Sequence, residues 1–415
     1  MYRSLYLVTV VVLFSVYTSA AQRIATLEVD IARPANGVDE PVSVILDGIT
    51  LLADTQLNLV EVQGAKKVPL PFQIENGDHR ILHWIVRAND KIGKRVYELI
   101  KEAPPQQSPV GIDNKDGTLT LQSHDKNLLR YQFGTMYPPK GIDSAFRRSG
   151  FIHPLWTPHW QALTRVQAPD HYHHYGLWNP WTHVLFEGDT VDFWNLGDKK
   201  GTVRFGKFES ITKGAVYGEF KALHEHVAFN KKSKTEKVAL NEIQTVRVYQ
   251  PDVDQDYYFV DITIDMRCAT QSPFTILEYR YAGLGWRATE KWNKQNSEVL
   301  TSEGKNRKES DGSTARWCIV QGALDNDYGG AVMMSHPSNY NHPEPLRIWP
   351  ENSNNIGEMF AMFAPTKNKD WALTPGNTYS LKYRFIVYNG HFTKEKAESS
   401  WQDYSSPPKI TVKVN

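Results

Sequence analysis

The stretch Tyr257-Tyr-Phe-Val-Asp-Ile-Thr-Ile-Asp-Met266 decides the fold class. From Val260 onward, large apolar residues alternate with Asp and Thr, the period of a strand that buries one face and wets the other. Its β-branched residues also suit a pleated surface better than a helix. Working outward, comparable strand signals recur at residues 119–123, 128–133, 201–208, 238–248, 274–281, 332–334 and 379–388. Helical spacing is scarce, and residues 393–402 are the best short candidate. About three hundred residues of antiparallel strands with no repeat at fixed spacing point to a large sandwich or barrel rather than a propeller.

Toward the N-terminus the runs are shorter. Pro41-Val-Ser-Val-Ile-Leu46, Leu57-Asn-Leu-Val-Glu-Val62 and Arg80-Ile-Leu-His-Trp-Ile-Val86 read as strands of a small β-sandwich over residues 22–101. Glu102-Ala-Pro-Pro-Gln-Gln-Ser-Pro109 has little apolar content and three prolines, so residues 102–110 read as a stiff linker. Residues 111–415 form the large domain. The predicted fold is therefore all-β, a small N-terminal β-sandwich followed by a large antiparallel β-sandwich.

Residues 1–21 have a different pattern: Arg3 near the start, an apolar middle, and Thr18-Ser-Ala-Ala21 at the end. This is the layout of a secretory signal peptide, and the apolar run falls short of the ~20 residues that cross a bilayer. The expected protein is exported, periplasmic or secreted, without stable membrane insertion. With 47 Lys and Arg against 46 Asp and Glu, the chain lacks the basic excess of a nucleic-acid binder. Two cysteines exclude a disulfide-dense scaffold and any multi-cysteine metal cluster; Cys268 and Cys318 either pair or remain separate thiols.

Chemistry concentrates in one place. Six of the 14 histidines lie between His153 and His183, and the core of the group is Pro169-Asp-His-Tyr-His-His-Tyr-Gly-Leu-Trp178. Trp156, Trp160, Trp178, Trp181, Trp194, Arg147, Arg148 and Arg165 surround it. Imidazoles exchange protons near neutral pH, so a cluster beside aromatic rings and guanidinium groups suits an anionic, ring-shaped ligand. In a plain extended strand, His171 and His173 face one way and Tyr172 and His174 the other, so a shared pocket requires the chain to turn. The second functional reading is a divalent metal at the cluster, completed by Asp170 or by His224 and His226. Two further segments stand out. Thr301-Ser-Glu-Gly-Lys-Asn-Arg307 with Arg316 joins a carboxylate to cations, and Ser335-His-Pro-Ser-Asn339 follows an apolar strand. Solvated turns explain both equally well. Trp84, Trp371 and Trp401 read as core. No nucleophile elbow, P-loop or dinucleotide fingerprint is present.

Several motifs in order resemble the bacterial family labelled "methane oxygenase PmoA": His153-Pro-Leu-Trp-Thr-Pro, Asp170-His-Tyr-His-His-Tyr-Gly-Leu-Trp, Val191-Asp-Phe-Trp, Thr301-Ser-Glu-Gly, Ala315-Arg-Trp and His336-Pro-Ser-Asn. The resemblance spans residues 111–388 and implies an exported, galactose-mutarotase-like β-supersandwich acting on polysaccharide fragments. Within that setting the chain is similar to an oligosaccharide dehydratase of ulvan degradation. Such a carbon–oxygen lyase removes water from a terminal uronic acid and leaves a 4,5-unsaturated sugar. The substrate would be an acidic oligosaccharide, with no cofactor. Under that reading Arg165 or Arg316 grips the carboxylate and His171, His173 or Tyr172 takes the C5 proton. His174 or His336 supplies the acid, Trp178 or Trp181 stacks on the ring, and Glu303 and Asn339 contact substrate. The rivals are a mutarotase or epimerase using Glu303 as base, a glycoside hydrolase, and a non-catalytic sugar-binding protein.

Overall fold

A computed structural model describes residues 22–88, 91–230, 235–249, 255–354 and 356–415. The signal peptide expected over residues 1–21 lies outside the described residues. Among those described are thirty strands and a single α-helix, Lys394–Ser405, capped by the Thr393 hydroxyl. The chain is all-β, a small sandwich followed by a large antiparallel supersandwich.

Tyr257–Cys268 lies near the middle of an eight-stranded antiparallel sheet, between Thr235–Tyr249 and Tyr379–Asn389. Its alternation is realised as read. Tyr258, Val260, Ile262, Ile264 and Met266 all enter the large core. Burying an aliphatic side chain of that size is worth roughly 1.5–3 kcal/mol, so this one strand is a major contributor. The opposite face also has work to do. Phe259 joins a second cluster with Val38, Trp317, Ile319 and the helix residue Ala397, while Asp261 holds Arg384 at 2.7 and 2.9 Å. Arg384 also reaches Glu40 of the small sandwich at 3.3 Å.

The other large sheet has eight strands ordered Leu346–Ile348, Phe360–Phe363, Gly285–Arg287, Leu177–Trp178, Phe151–Leu155, Lys126–Gln132, Thr118–Ser123 and Gly111–Lys115. Leu119, Leu121, Leu129, Ile152, Leu177 and Trp286 meet the first sheet's apolar face in the shared core. The small sandwich packs a five-stranded sheet on a three-stranded one around Leu27, Leu59, Trp84 and Leu99. Ile410–Val414, the last strand, pairs with Gln22–Ile31, so the chain returns to the sheet it began.

One expected strand is shorter than its pattern. The run at residues 274–281 is a strand only over Phe274–Ile276; beyond it the chain leaves the sheet and carries Tyr279, Arg280 and Tyr281 elsewhere. Cys268 and Cys318 are separate free thiols. No helix of the described residues is long and apolar enough to cross a membrane.

Candidate active site

His171–Tyr175 is a short strand pairing with Val166–Ala168, but the two do not keep step. Val166 faces Tyr175 and Ala168 faces His171, so five residues on one side oppose three on the other. Gln167, opposite the excess, has φ +45°. This bulge breaks the alternation that would have split the histidines between two faces. Gly176 then ends the strand at φ +60°, where a Cβ would lie 2.3 Å from the Ile152 carbonyl oxygen; only glycine fits. The turn delivers Leu177–Trp178 into the central sheet.

As a result the ring nitrogens offered by His171, His173 and His174 lie within 4.8 Å of one another. The His171 and His174 rings stack at 4.7 Å, and His173 meets His174 edge-on at 4.8 Å. His171 Nδ1 donates to Asp170 Oδ2 at 2.7 Å, because an ionised carboxylate can only accept. His173 makes no hydrogen bond among the described residues. Burial, reinforced by the neighbouring His171 and Arg287 charges, pushes His173 down to about 4. His174 is fully buried and lies well below the ordinary histidine range for the same first reason, with His173 and Arg287 adding to it. Both rings are therefore neutral at physiological pH.

Behind the imidazoles is a charged scaffold. Arg287, on a central strand and without exposed surface, donates from Nη2 to Asp170 at 2.9 and 3.1 Å and to Glu358 at 2.8 Å. Asn354 bridges the same two carboxylates at 2.7 and 2.8 Å, and Arg165 reaches Glu358 at 2.7 Å. The Arg287 guanidinium sits over Trp349 at 4.6 Å. Burial alone would raise the Asp170 carboxyl; the His171 hydrogen bond and the Arg287 charge override it and hold it well below the usual carboxylate range.

In front is an open pocket of about 200 Å³, lined by the three histidines with Thr182, Trp194, Asn195, Tyr279, Arg280 and Tyr281. That is below the ~300 Å³ of a typical drug-sized site, so it suits a small ligand or one group of a larger one. Tyr281 Oη accepts from Arg347 and from Trp349 Nε1, each at 2.9 Å, which leaves its own hydrogen to donate. Arg280 is exposed, has no carboxylate partner among the described residues, and lies over Tyr281 at 5.4 Å. A cleft of about 480 Å³ beside Phe186, Lys200 and Lys237 is roomier but has no histidine in its lining.

The remaining expected site residues are placed elsewhere. Tyr172 turns toward Phe146, ring to ring at 5.9 Å, and is absent from the pocket wall. Trp178 and Trp181 are 1% and 0% exposed, so neither has a free face for a sugar; Trp178 instead backs His174 at 5.2 Å. Arg165 is occupied by Glu358. Arg316 binds Glu398 at 2.7 Å and stacks on Trp401, with Glu303 3.9 Å away. His336 contacts Ser338 and Tyr404, and buried Asn339 contacts Glu344 and the Lys382 carbonyl. These four form a neighbourhood around the helix, apart from the three histidines. His224 and His226 do not complete the cluster either; both are buried against Glu242, at 3.1 and 3.0 Å. Sequence reading missed Arg280, Tyr281, Arg287, Trp349 and Glu358. None carries a local motif, and they reach the site from separate segments.

No curated protein matches the chain. Among solved structures, an alpha-mannosidase from Enterococcus faecalis V583 matches with a TM-score of 0.45 and 8% identity, over 95% of this chain and 47% of that one. The chain thus spans about half the length of that structure. Residues 118–402, which include the whole site, match DUF6807, whose description gives neither the methane-oxygenase label nor a substrate. The chain belongs to DUF6807, a family of unknown function.

Proposed function

We propose that this is an exported carbohydrate-active enzyme, a carbon–oxygen lyase that eliminates water from the uronic acid at the non-reducing end of an acidic oligosaccharide such as an ulvan fragment. The observation that carries the reading is the convergence of three imidazoles with an unpaired guanidinium, Arg280, on one open pocket sized for one group of a larger ligand. Elimination makes three demands, and each has a candidate here. Arg280 pairs with the substrate carboxylate and stabilises the charge that develops when the C5 proton leaves. Neutral His173, or His171 oriented by Asp170, takes that proton. Tyr281, whose oxygen already accepts two hydrogen bonds, donates its hydrogen to the C4 oxygen as that bond breaks. The electron pair of the C–H bond becomes the C4–C5 double bond, and water departs.

The test is incubation with saturated uronyl oligosaccharides, read by far-ultraviolet absorbance and by product mass. A new absorbance with loss of one water supports the reading. Gain of one water indicates a hydrolase, an unchanged mass with altered anomeric signals a mutarotase or epimerase, and binding without product a lectin-like protein; each of these overturns it.

A further inference from the structure

His171, His173 and His174 are arranged more closely than proton transfer requires. One or two imidazoles suffice for acid–base work, yet the bulge and the glycine turn bring three together. We infer that these three side chains form a binding site for one divalent transition-metal cation, of the zinc class, at the floor of the pocket.

The donor chemistry fits. Three imidazoles with an open side facing a pocket are the ligand set of a catalytic rather than a structural zinc site, which keeps a position for water or substrate. Bonds of ~2.0–2.1 Å in a tetrahedral site would place the nitrogens about 3.4 Å apart. The widest present separation is 4.8 Å, so ring rotations moving each nitrogen by under ~1 Å close the site. The support behind the rings fits as well. A ligating histidine commonly donates its other ring hydrogen to a carboxylate, and His171 does so to Asp170, itself fixed by Arg287 and Asn354. Among the described residues His173 has no competing hydrogen bond, and the one polar contact of His174, 3.5 Å to Arg287 Nη1, is too long to fix its tautomer.

Charge does not forbid the cation. Arg287 is the nearest positive group, but Asp170 and Glu358 both bind it, and Arg165 is matched by Glu358 and by Glu290 at 3.7 Å. Arg280 is exposed and lines the same pocket. A cation on the floor and this guanidinium would together receive an anionic ligand.

This inference goes beyond the elimination reading and does not depend on it. If both hold, the three imidazoles would hold the cation instead of taking the C5 proton, a cation there would supply charge neutralisation beside Arg280, Tyr281 would remain the acid, and the base would be another group of the pocket wall. The test reads binding directly. The full-length protein is stripped with chelator, dialysed, and titrated with Zn²⁺ by calorimetry, with metal content measured by mass spectrometry. We expect one Zn²⁺ per chain and a raised Tm in the wild type. His173→Ala should lose the binding, and Asp170→Asn should weaken it by about 10–100-fold. His336→Ala, remote from the cluster, should retain it. Circular dichroism establishes that each variant is folded, and should His173→Ala fail to fold, His173→Gln takes its place. Absence of stoichiometric binding in the wild type, or undiminished binding in the folded His173 variant, overturns the inference, whatever the elimination assay returns.

Discussion

Arg287 reaches Asp170 at 2.9 Å from a position with no exposed surface, and the carboxylate it holds is the one that orients His171. The catalytic candidates are thus fastened to the central sheet through a buried guanidinium, whose other carboxylate partner, Glu358, is buried with it. Such pairs contribute little net stability when formed, yet removing one partner leaves the other charge stranded.

Arg287→Met is accordingly expected to destabilise the protein by about 3–5 kcal/mol, since Asp170 and Glu358 would lose their shared counter-charge. Urea denaturation followed by tryptophan fluorescence measures it. A change below ~1 kcal/mol would mean the two carboxylates are stabilised by other groups, with Asn354 and Arg165 the nearest.

Arg280→Ala should lower kcat/KM on acidic oligosaccharides by roughly 10–100-fold, the loss of one charge-assisted contact, with kcat falling as well as KM rising because the same group meets the charge that develops in the transition state. Arg316→Ala should leave it nearly unchanged, because Arg316 is spent on Glu398 and Trp401. Steady-state kinetics on one uronyl substrate compares them, and the reverse ranking would remove Arg280 from the site.

The depressed histidines make stability fall in acid. His153 and His173 are each held down to about 4 by burial, whereas an unfolded chain protonates them near 6.5. Between those values the unfolded state binds protons the folded state refuses, so their contribution is present at neutral pH and lost as pH falls from about 6.5 to about 4. Glu40 and Glu344, raised by burial to about 8 and about 7, act in the opposite direction. Comparing wild type with His173→Asn isolates one group: the stability difference between them should shift steadily in the variant's favour from about pH 7 to about pH 5. Urea midpoints at both values decide it.

Gly176→Ala should cost more than the ~1 kcal/mol of an ordinary point change, since the new Cβ would meet the Ile152 carbonyl oxygen at 2.3 Å and φ is positive. It should also abolish activity, by displacing the turn that follows the histidines. Thermal melting and the elimination assay read the two effects separately.

Much of the fold can be read in the chain because strands such as Tyr257–Cys268 carry their burial pattern in adjacent residues. The short helix is equally local, opened by Thr393 within a residue of where its spacing places it. The three histidines are visible for the same reason. What brings them together is not, because the bulge depends on Val166–Ala168 pairing out of register with them. Tryptophans beside histidines read as sugar platforms or as core, and Trp178 proves to be core because its two-residue strand is hydrogen-bonded into the central sheet. Tyr281 was legible as the end of a strand, yet the chain leaves the sheet after Ile276 and turns that residue into a pocket wall.

The pairing of Ile410–Val414 with Gln22–Ile31 has a consequence for biosynthesis. The small sandwich stays one β-strand short until the segment that follows the large sandwich has been made, so Gln22–Ile31 presents an unpaired sheet margin until then. Closing it requires a pairing between strands that are far apart in sequence, the kind of non-local contact a chain forms slowly.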